Sequence, residues 1–440
     1  MVWPVELTFK PGVSTRVDLE RRPLFYVVDA SPASIPDQER VIQNALDNPI
    51  GATQLNSVLR SGQRVVILVD DITRPTPAAR ILPPVLDRIA QAGIPVSDVC
   101  IFMALGTHRP MTDDELLAKL GREVLDRFRV VNRDYQAGDF VSLGQTASGT
   151  PIEIEREVLE ADFKIAIGNV VPHISAGWGG GSKMLLPGVC SRNTTDAMHL
   201  MACIVQPVLE ILGARDNKPR AEMDRVAERV GLDFIINTVL DKERRLLGVF
   251  AGHCIEAHRR ACEMAERLMI VPIPAQADIL IVSATPCHFD YWQGVKPYTY
   301  AHRAVREGGI IIFMLDGAEG LCGDAPSHEE TVRKYLLWPF DDQKAAVERG
   351  EVEDLVGLNV PMYHAMIRGR VQKTICVTNH LTQTDLDALG FDAAPDVQAA
   401  LEEAYGILGR QSTVGIIPFG GETLVRVAPD EFEARRAERT

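Results

Sequence analysis

Two histidines and a lysine flank a glycine-rich segment between residues 169 and 199. His173 comes before the glycines, Lys183 follows them, and His199 lies sixteen residues after the lysine. The glycines of the segment are Gly177, Gly179, Gly180 and Gly181. A backbone without side chains can lie against a flat or phosphorylated ligand. The pattern therefore indicates a bound cofactor that Lys183 contacts and His199 ligates. The alternative is a flexible surface loop with incidental histidines.

A second group of reactive side chains follows the strand that we predict over residues 64–71. Asp71, Ile72, Thr73 and Arg74 come together before a proline-started helix, so one loop carries an acid, a hydroxyl and a guanidinium. The free N–H groups and the positive dipole end of such a helix favour a phosphate or a carboxylate. The alternative is a capping turn that holds a structural Asp–Arg pair.

A third group follows the strand predicted over residues 99–106, where His108 comes after a strand-ending glycine. An imidazole in this place suits general acid/base catalysis, although a residue of the helix cap is an equal alternative. The strand predicted over residues 163–171 leads to His173 in the same way. Because the carboxyl ends of parallel strands share one edge of a sheet, we expect Asp71, Arg74, His108 and His173 to lie at one ligand site.

Gln293 and Lys296 have the spacing of one helix face in the segment DYWQGVKP. An amide and an ammonium on one face could together bind a substrate carboxylate or polarise a carbonyl oxygen. The alternative is the solvated start of a helix.

The elements that must position these residues alternate between short apolar runs and longer amphipathic stretches, which is typical of an α/β protein. Residues 196–268 have a more helical pattern, and the proline-containing segment at 271–278 resembles a linker. We therefore predict two α/β domains with largely parallel sheets and an active-site cleft between them. The first domain, residues 1–270, would bind the cofactor and carry the catalytic groups, and the second, residues 271–440, would contribute substrate-binding residues. The last segment could return to the first domain.

Composition excludes several classes of protein. The net charge of -14 and the lack of a basic stripe with interleaved aromatics argue against a nucleic-acid partner. The longest apolar runs are far shorter than the roughly 20 residues that span a bilayer, and we find no signal peptide, so we expect no membrane partner. The eight cysteines show no metal-finger spacing, which favours reduced thiols in a cytoplasmic protein.

Five segments of the chain together resemble the nickel-pincer lactate racemase family. They are DDITRPTP, ALGTHRP, GNVVPHISAGWGGGSK, the following His199 and the YWQGVKP region, in the family's order and at similar intervals. Each motif is weak alone, but the set is specific and the similarity covers nearly the whole chain. The resemblance implies an isomerase, a racemase or epimerase of 2-hydroxy acids.

The resemblance also implies a cofactor and a role for each candidate residue. The cofactor would be a nickel-pincer nucleotide, Ni(II)-pyridinium-3,5-bisthiocarboxylate mononucleotide, covalently linked at Lys183 and made by cofactor-assembly enzymes. His199 would be the metal ligand from the protein, which suits a flat four-coordinate Ni(II) site. The residues against the cofactor would be Asp71, Ile72, Thr73 and Arg74. The acid/base pair would be His108 and His173. The residues that bind the small-molecule 2-hydroxy acid would be Arg74, Gln293 and Lys296.

The implied chemistry explains why these residue types are needed. Removal of the α-hydrogen of a 2-hydroxy acid as a proton is difficult, because the adjacent ionised carboxylate stabilises a carbanion poorly. Reversible hydride transfer to the cofactor avoids that anion, and two opposed histidines would handle the hydroxyl proton on the two faces of the keto acid. Arginine and lysine would neutralise the carboxylate and the developing oxyanion.

Some segments depart from the family pattern and leave the identity of the 2-hydroxy acid open. The glycine loop has Trp178 and Gly179 where an aromatic and a small hydroxyl residue are more usual. Residues 287–292 do not match a lactate-specific pocket, and residues 355–368 lack the expected tryptophan. Two other functions stay open: an NAD-type 2-hydroxy acid oxidoreductase, against which the missing GxGxxG argues, and a non-catalytic two-lobed protein that binds an organic acid.

Overall fold

The computed structural model describes residues 2–20, 24–28, 30–32, 34–206 and 208–428. The chain forms two compact units, one of residues 31–266 and one of residues 1–30 and 267–440. The strands are β1 (Val2–Lys10), β2 (Val13–Glu20), β3 (Leu24–Val27), β4 (Val65–Val69), β5 (Val99–Met103), β6 (Arg129–Val131), β7 (Phe140–Gln145), β8 (Pro151–Glu155), β9 (Phe163–Asn169), β10 (Pro172–His173), β11 (Gly177–Trp178), β12 (Phe234–Leu240), β13 (Leu246–Gly252), β14 (Ile270–Ile273), β15 (Ala277–Ser283), β16 (Val305–Leu315), β17 (Lys373–Thr378), β18 (Asp392–Ala393), β19 (Val414–Ile417) and β20 (Leu424–Val427).

The α-helices occupy most of the connections between these strands. They are α1 (Gln38–Asp47), α2 (Leu55–Val58), α3 (Ala78–Gln91), α4 (Asp113–Leu120), α5 (Arg122–Arg127), α6 (Arg156–Leu159), α7 (Arg192–Leu200), α8 (Val208–Ile211), α9 (Lys218–Val230), α10 (Glu256–Met269), α11 (Tyr291–Tyr300), α12 (Glu329–Tyr335), α13 (Phe340–Glu348), α14 (Leu355–Arg368), α15 (Gln383–Leu389) and α16 (Val397–Leu408). None of the helices in the described ranges combines the length and the apolar composition needed to cross a lipid bilayer.

The unit of residues 31–266 is built on a six-stranded sheet in the order β13-β12-β9-β4-β5-β6. All neighbours are parallel except β13, which runs antiparallel to β12. The central strand β4 is buried along its whole length because both faces of the sheet are covered. Val65, Ile67 and Val69 belong to the apolar cluster on one face, and Val66 and Leu68 to the cluster on the other.

The order of the strands creates a switch point between β4 and β9. From β4 the chain moves outward through β5 and β6, and it then returns to the opposite side of β4 to form β9. Loops that leave such a pair of strands diverge to opposite faces of the sheet and leave a crevice at its carboxyl edge, where ligands bind in folds of this kind. The loop at Asp71 follows β4, and the loop at His173 follows β9.

The second unit contains a parallel six-stranded sheet in the order β18-β17-β16-β15-β19-β3. Its own switch point lies between β15 and β19, and α11 follows β15. The prediction of an α/β fold with largely parallel sheets is confirmed.

The first thirty residues differ from the prediction, which placed them in the first domain. They group with residues 267–440 because β3 pairs with β19 and because the β1–β2 hairpin packs its apolar face, including Leu7 and Val17, into the core of that unit. The last strand, β20, pairs with β14 and stays in the same unit.

Candidate active site at the carboxyl edge of the first sheet

Asp71 and His108 form a direct contact between the loops that follow β4 and β5. Nδ1 of His108 lies 2.8 Å from Oδ2 of Asp71, and both side chains are almost fully buried. Because an ionised carboxylate only accepts hydrogen bonds, Nδ1 of the ring donates and Nε2 carries the lone pair in the neutral form. In this tautomer Nε2 is the ring nitrogen at which a neutral imidazole can accept a proton.

A short network holds the carboxylate of Asp71 in place. The backbone N–H and the hydroxyl of Thr73 donate to Oδ1 of Asp71 at 2.8 and 2.5 Å, and Arg74 donates to Oγ1 of Thr73 at 2.8 Å. Burial alone would raise the pKa of Asp71, but the charge and hydrogen bond of His108, with help from Arg74 and Thr73, hold the pKa well below its usual range. Asp71 is therefore ionised at neutral pH.

Lys119 and Asp70 form a buried support under this loop that the sequence analysis missed. Nζ of Lys119 lies 2.6 Å from Oδ1 of Asp70 and donates to the backbone oxygens of Asp71 and Arg74 at 2.9 and 2.8 Å. The other oxygen of Asp70 accepts from the backbone N–H of Asn169 at the end of β9. A lysine in a short helix normally faces solvent, and nothing near Lys119 in the sequence indicates a partner 48 residues away. The pair fixes the backbone that presents Asp71 and Arg74.

His173 lies in a short hairpin in which β10 pairs with β11. The backbone N–H of Ser175 donates to its Nδ1 at 3.1 Å, so the neutral ring carries its proton on Nε2. His108 and His173 therefore have opposite tautomers in their neutral forms: His108 carries its proton on Nδ1, and His173 carries its proton on Nε2.

The glycine-rich loop after His173 is buried and is held by side chains of α9, α10 and β12. His258 donates from Nε2 to the carbonyl of Gly179 at 2.8 Å, and Arg220 donates to the carbonyls of Trp178 and Gly180. Burial, assisted by the charge of Arg220, lowers the pKa of His258 well below its ordinary value, so the ring is neutral. The interpretation of this segment as a flexible surface loop is wrong.

The glycines themselves allow close approach to protein atoms. A Cβ at Gly177 would lie 2.1 Å from the carbonyl oxygen of Ala214, and one at Gly181, whose φ is +60°, would lie 2.7 Å from Cγ of His258. The glycine run therefore lets the loop pack tightly against its own protein, which in turn fixes the position of Lys183.

Replacement of Gly181 by alanine is expected to destabilise the protein by about 2–4 kcal/mol, because the new Cβ meets a buried ring at a positive φ. Gly231 offers a matched control, since its φ is +81° and no atom lies within 4 Å of a Cβ built there. Gly231→Ala should lose only about 1 kcal/mol. Urea unfolding followed by tryptophan fluorescence measures both losses, and equal losses would contradict the tight packing proposed for the loop.

Lys183 is half-buried in a 3₁₀ turn over Gly181–Met184. The segment that follows contacts the turn that carries His108: the N–H of Gly188 donates to the carbonyl of Lys183 at 3.4 Å, and the carbonyl of Gly188 accepts from Gly106 at 3.1 Å. The loop that carries the amine and the loop that carries His108 are thus joined by backbone hydrogen bonds.

His199 lies in the last turn of α7, directly before a π-helical turn over Met201–Val205. Its Nδ1 donates to the carbonyl of Thr195 at 2.8 Å, which leaves the lone pair on Nε2. Metal-ligating histidines commonly donate their other ring nitrogen in this way, and π turns are frequent at functional sites. The hydrogen bond at Nδ1 of His199 fits the predicted ligand role, in which Nε2 would face the metal.

Three buried polar atoms in the same part of the chain have no hydrogen-bond partner among the residues that the structure describes. They are Nδ2 of Asn169, Oγ of Ser182 and Oγ1 of Thr195. Buried polar atoms are nearly always paired in folded proteins, so each of these requires a partner that the chain does not supply. A polar group bound in this region fits that requirement.

Gln293 and Lys296 lie in the other unit, at the start of α11. Asp290 caps this helix by accepting from the backbone N–H of Gln293 at 2.9 Å, and Nζ of Lys296 donates to Oε1 of Gln293. Both side chains are buried, so the interpretation as a solvated helix start is wrong. Trp292 stacks on His328 with ring centroids 5.1 Å apart.

The contacts divide the candidate residues into three groups. Asp71, Thr73, Arg74 and His108 touch one another, whereas the side chain of Ile72 packs against the apolar core. In the second group, His173, Lys183 and His199 lie in the same unit, and backbone hydrogen bonds through Gly188 join the Lys183 loop to the loop of His108. The third is the pair Gln293 and Lys296, which contact each other.

The chain has an α/β fold with a candidate ligand site at the carboxyl edge of a largely parallel sheet. Residues 13–210 match the family model for the lactate racemase N-terminal domain, and residues 273–425 match that for the C-terminal domain. The chain belongs to the lactate racemase family and is an isomerase of the racemase type, as the motifs predicted.

Sequence similarity to two lactate racemases covers nearly the whole chain. The lactate racemase of Thermoanaerobacterium thermosaccharolyticum is 31% identical over 402 residues, and that of Lactiplantibacillus plantarum is 30% identical over 394; each alignment covers 88% of this chain and 91% of the relative. The structure of the former's apoprotein superposes with a TM-score of 0.85 at 29% identity, covering 96% of this chain and all of that one. A Thermotoga maritima protein with a TM-score of 0.69 and 18% identity, covering 93% of this chain and all of that one, shares the fold.

Proposed function

We propose that the chain interconverts the enantiomers of a 2-hydroxy acid, and that lactate, which the named relatives racemise, is the first substrate to test. Two observations carry this proposal: the two rings have opposite tautomers, and they follow β5 and β9, which lie on either side of β4 in one sheet. Racemisation needs one group that accepts the hydroxyl proton and another that returns a proton on the other face.

The residues of the first unit fit a nickel-pincer nucleotide. Lys183 would supply the amine of the covalent link, and Nε2 of His199 would ligate nickel. Across the part of the chain that the structure describes, no three His, Cys, Asp or Glu side chains are grouped so that they could hold a metal ion, which agrees with a metal that takes only one ligand from the protein. Asn169, Ser182 and Thr195 offer buried polar atoms to the bound group. When bound, this group would accept the α-hydrogen as a hydride and give it back.

The protein's own residues would then control the proton and the charge. His108 would take the hydroxyl proton at Nε2, and Asp71 would stabilise the imidazolium that results. His173, which carries its proton on Nε2, would return a proton to the oxygen on the opposite face. Arg74 and the pair Gln293 and Lys296 would bind the carboxylate and keep the acid oriented.

The proposed cellular context follows from the same features. Cofactor-assembly enzymes would have to modify Lys183, so they are proposed partners of the chain. All eight cysteines are free in the structure, which supports a reducing compartment such as the cytoplasm.

The test is to produce the chain together with cofactor-assembly enzymes and to incubate it with single enantiomers of lactate and of larger 2-hydroxy acids. We expect at least one acid to lose its optical rotation, and we expect the protein to carry nickel and a mass increment on the peptide that contains Lys183. Protein that carries both but leaves every acid of the panel unchanged would refute the proposed function.

A further inference from the structure

The buried carboxylate of Asp324 lies against the pair Gln293 and Lys296. Nε2 of Gln293 donates to Oδ2 of Asp324 at 2.6 Å, and Oε1 of the same amide accepts from Nζ of Lys296. All three side chains are buried. The amide therefore lies between an acid and an ammonium: its NH₂ end contacts Asp324 and its oxygen contacts Lys296.

This arrangement fixes which way the amide points. A carboxylate can only accept, so it selects the NH₂ end of Gln293 and leaves the oxygen for Lys296. Without the carboxylate, rotation of the amide by half a turn would set its NH₂ group against the ammonium. Two donors would then face each other, and Lys296 would lose the acceptor that holds it in place.

Asp324 is itself held firmly at the start of α11. Its backbone N–H donates to Oδ2 of Asp290 at 2.8 Å, while Oδ1 of Asp290 caps the helix. The N–H groups of Tyr291 and Trp292 donate to the carbonyls of residues 320 and 321, at 3.1 and 2.8 Å. The segment that ends in Asp324 thus pairs with the open backbone groups of the first helical turn.

Asp290 differs from Asp324 in its charge. Its burial, together with the nearby charges of Asp324 and Glu319, raises the pKa of Asp290 to about 8. Asp290 is therefore mostly uncharged at neutral pH, and the carboxylate that contacts the Gln293 amide is that of Asp324.

We propose that Asp324 is a positioning residue that acts through Gln293 and sets how firmly Lys296 binds the carboxylate of the substrate. This inference rests on the substrate role proposed for Gln293 and Lys296. Asp324 need not touch the substrate. Its removal should weaken binding of the acid and leave the chemical step and the modification of Lys183 nearly unchanged.

The experiment compares Asp324→Ala, Asp324→Asn and Lys296→Ala in the loaded enzyme. We expect Asp324→Ala to raise KM for lactate by about tenfold or more with little change in kcat, as for loss of a hydrogen bond to a charged group. Asp324→Asn keeps the shape but no longer dictates the amide's orientation, so its KM should rise by about threefold. All variants should keep the mass increment at Lys183.

Asp316 supplies the matched control, because it is equally buried in the same unit and pairs with Lys10 and Asn379. Asp316→Ala should lower stability and leave KM unchanged. The double variant Gln293→Ala/Asp324→Ala should have the same KM as Gln293→Ala alone, because Asp324 acts only through the amide of Gln293. The inference would be overturned if Asp324→Ala had the wild-type KM while Lys296→Ala had a raised KM. If the alanine variant does not fold, Asp324→Asn takes its place in this comparison.

A binding measurement separates this inference from the proposed function. The probe is 2-hydroxyisobutyrate, which has no α-hydrogen and cannot react. Calorimetric titration of the wild type, Lys296→Ala and Asp324→Ala should show the same order of weakened affinity as the KM values. If no acid is racemised but this order holds, the proposed function fails and the positioning role stands. If Lys296→Ala binds the probe as the wild type does, the positioning role fails.

Discussion

His108→Ala is expected to lower the rate of racemisation by about 10²–10⁴-fold while the protein keeps its nickel and the mass increment at Lys183. In the Asp71–Thr73–His108 network, the imidazole is the proposed group that exchanges a proton with the substrate hydroxyl. The ring is anchored to Asp71 at 2.8 Å, so its loss removes a preset base and leaves the rest of the loop in place. Chiral chromatography of lactate after timed incubation measures the rate.

Asp71→Asn tests whether the contact between Asp71 and His108, and not the His108 ring alone, is needed for the proposed catalysis. The amide can no longer stabilise an imidazolium, and it can accept or donate at Nδ1, so the tautomer is no longer imposed. We expect a loss of about 10–100-fold with the histidine still present. His253→Ala is the control, because the His253 ring is half exposed elsewhere in the same unit, and its replacement should leave the rate unchanged.

Normal turnover in His108→Ala would contradict the acid/base role proposed for His108.

The sequence predicted the sheet of the first unit well where strands are short and apolar. The strands expected over 64–71, 99–106 and 163–171 correspond to β4, β5 and β9. β4 and β5 are continuous apolar runs, because a parallel strand covered on both faces has no polar side. β9 keeps this pattern apart from Lys164 and its last residue, Asn169.

Strands β12 and β13 were not predicted, although both are well formed. They lie in the region that we interpreted as mainly helical, between the strongly amphipathic helices α9 and α10. β12 is buried throughout, but it contains Asn237 and Thr238. These polar residues interrupt the apolar run, and their hydrogen-bond partners are far away in the sequence. Asn237 accepts from the backbone N–H of Gly181 in the glycine loop, and Thr238 donates to Asn169.

Asp71, His108 and His173 could be chosen as candidates from the sequence because they come just after predicted strands, where a local pattern indicates a position at the edge of the sheet. The residues that hold them could not be chosen in this way, because their partners are far away in the chain. From the sequence, Arg220 would be expected on the exposed face of a helix. In the structure it is buried, and it donates to the carbonyl of Gly180, forty residues earlier in the chain. No local sequence pattern indicates the position of Asp324, because its contact is with the amide of Gln293, 31 residues away.

The tether and the metal ligand can be separated by two substitutions. Lys183→Ala, made together with the assembly enzymes, is expected to have its unmodified mass and no detectable racemisation, because the covalent link needs the amine. Lys183→Arg is the matched control for charge: it keeps a cation in the same turn and should also lack the increment. A mass increment that persists in either variant would refute the link at this residue.

His199→Ala should behave differently, because the ring acts only through the lone pair that its hydrogen bond to the carbonyl of Thr195 leaves on Nε2. We expect the organic increment at Lys183 to remain, while nickel falls by about 10–100-fold in affinity or is lost on gel filtration, as when a metal site loses a ligand. Elemental analysis and intact mass on the same sample separate the two events. Stoichiometric nickel in His199→Ala would mean that the imidazole is not the ligand. Loss of both nickel and the increment would mean that the metal is needed before the amine can react.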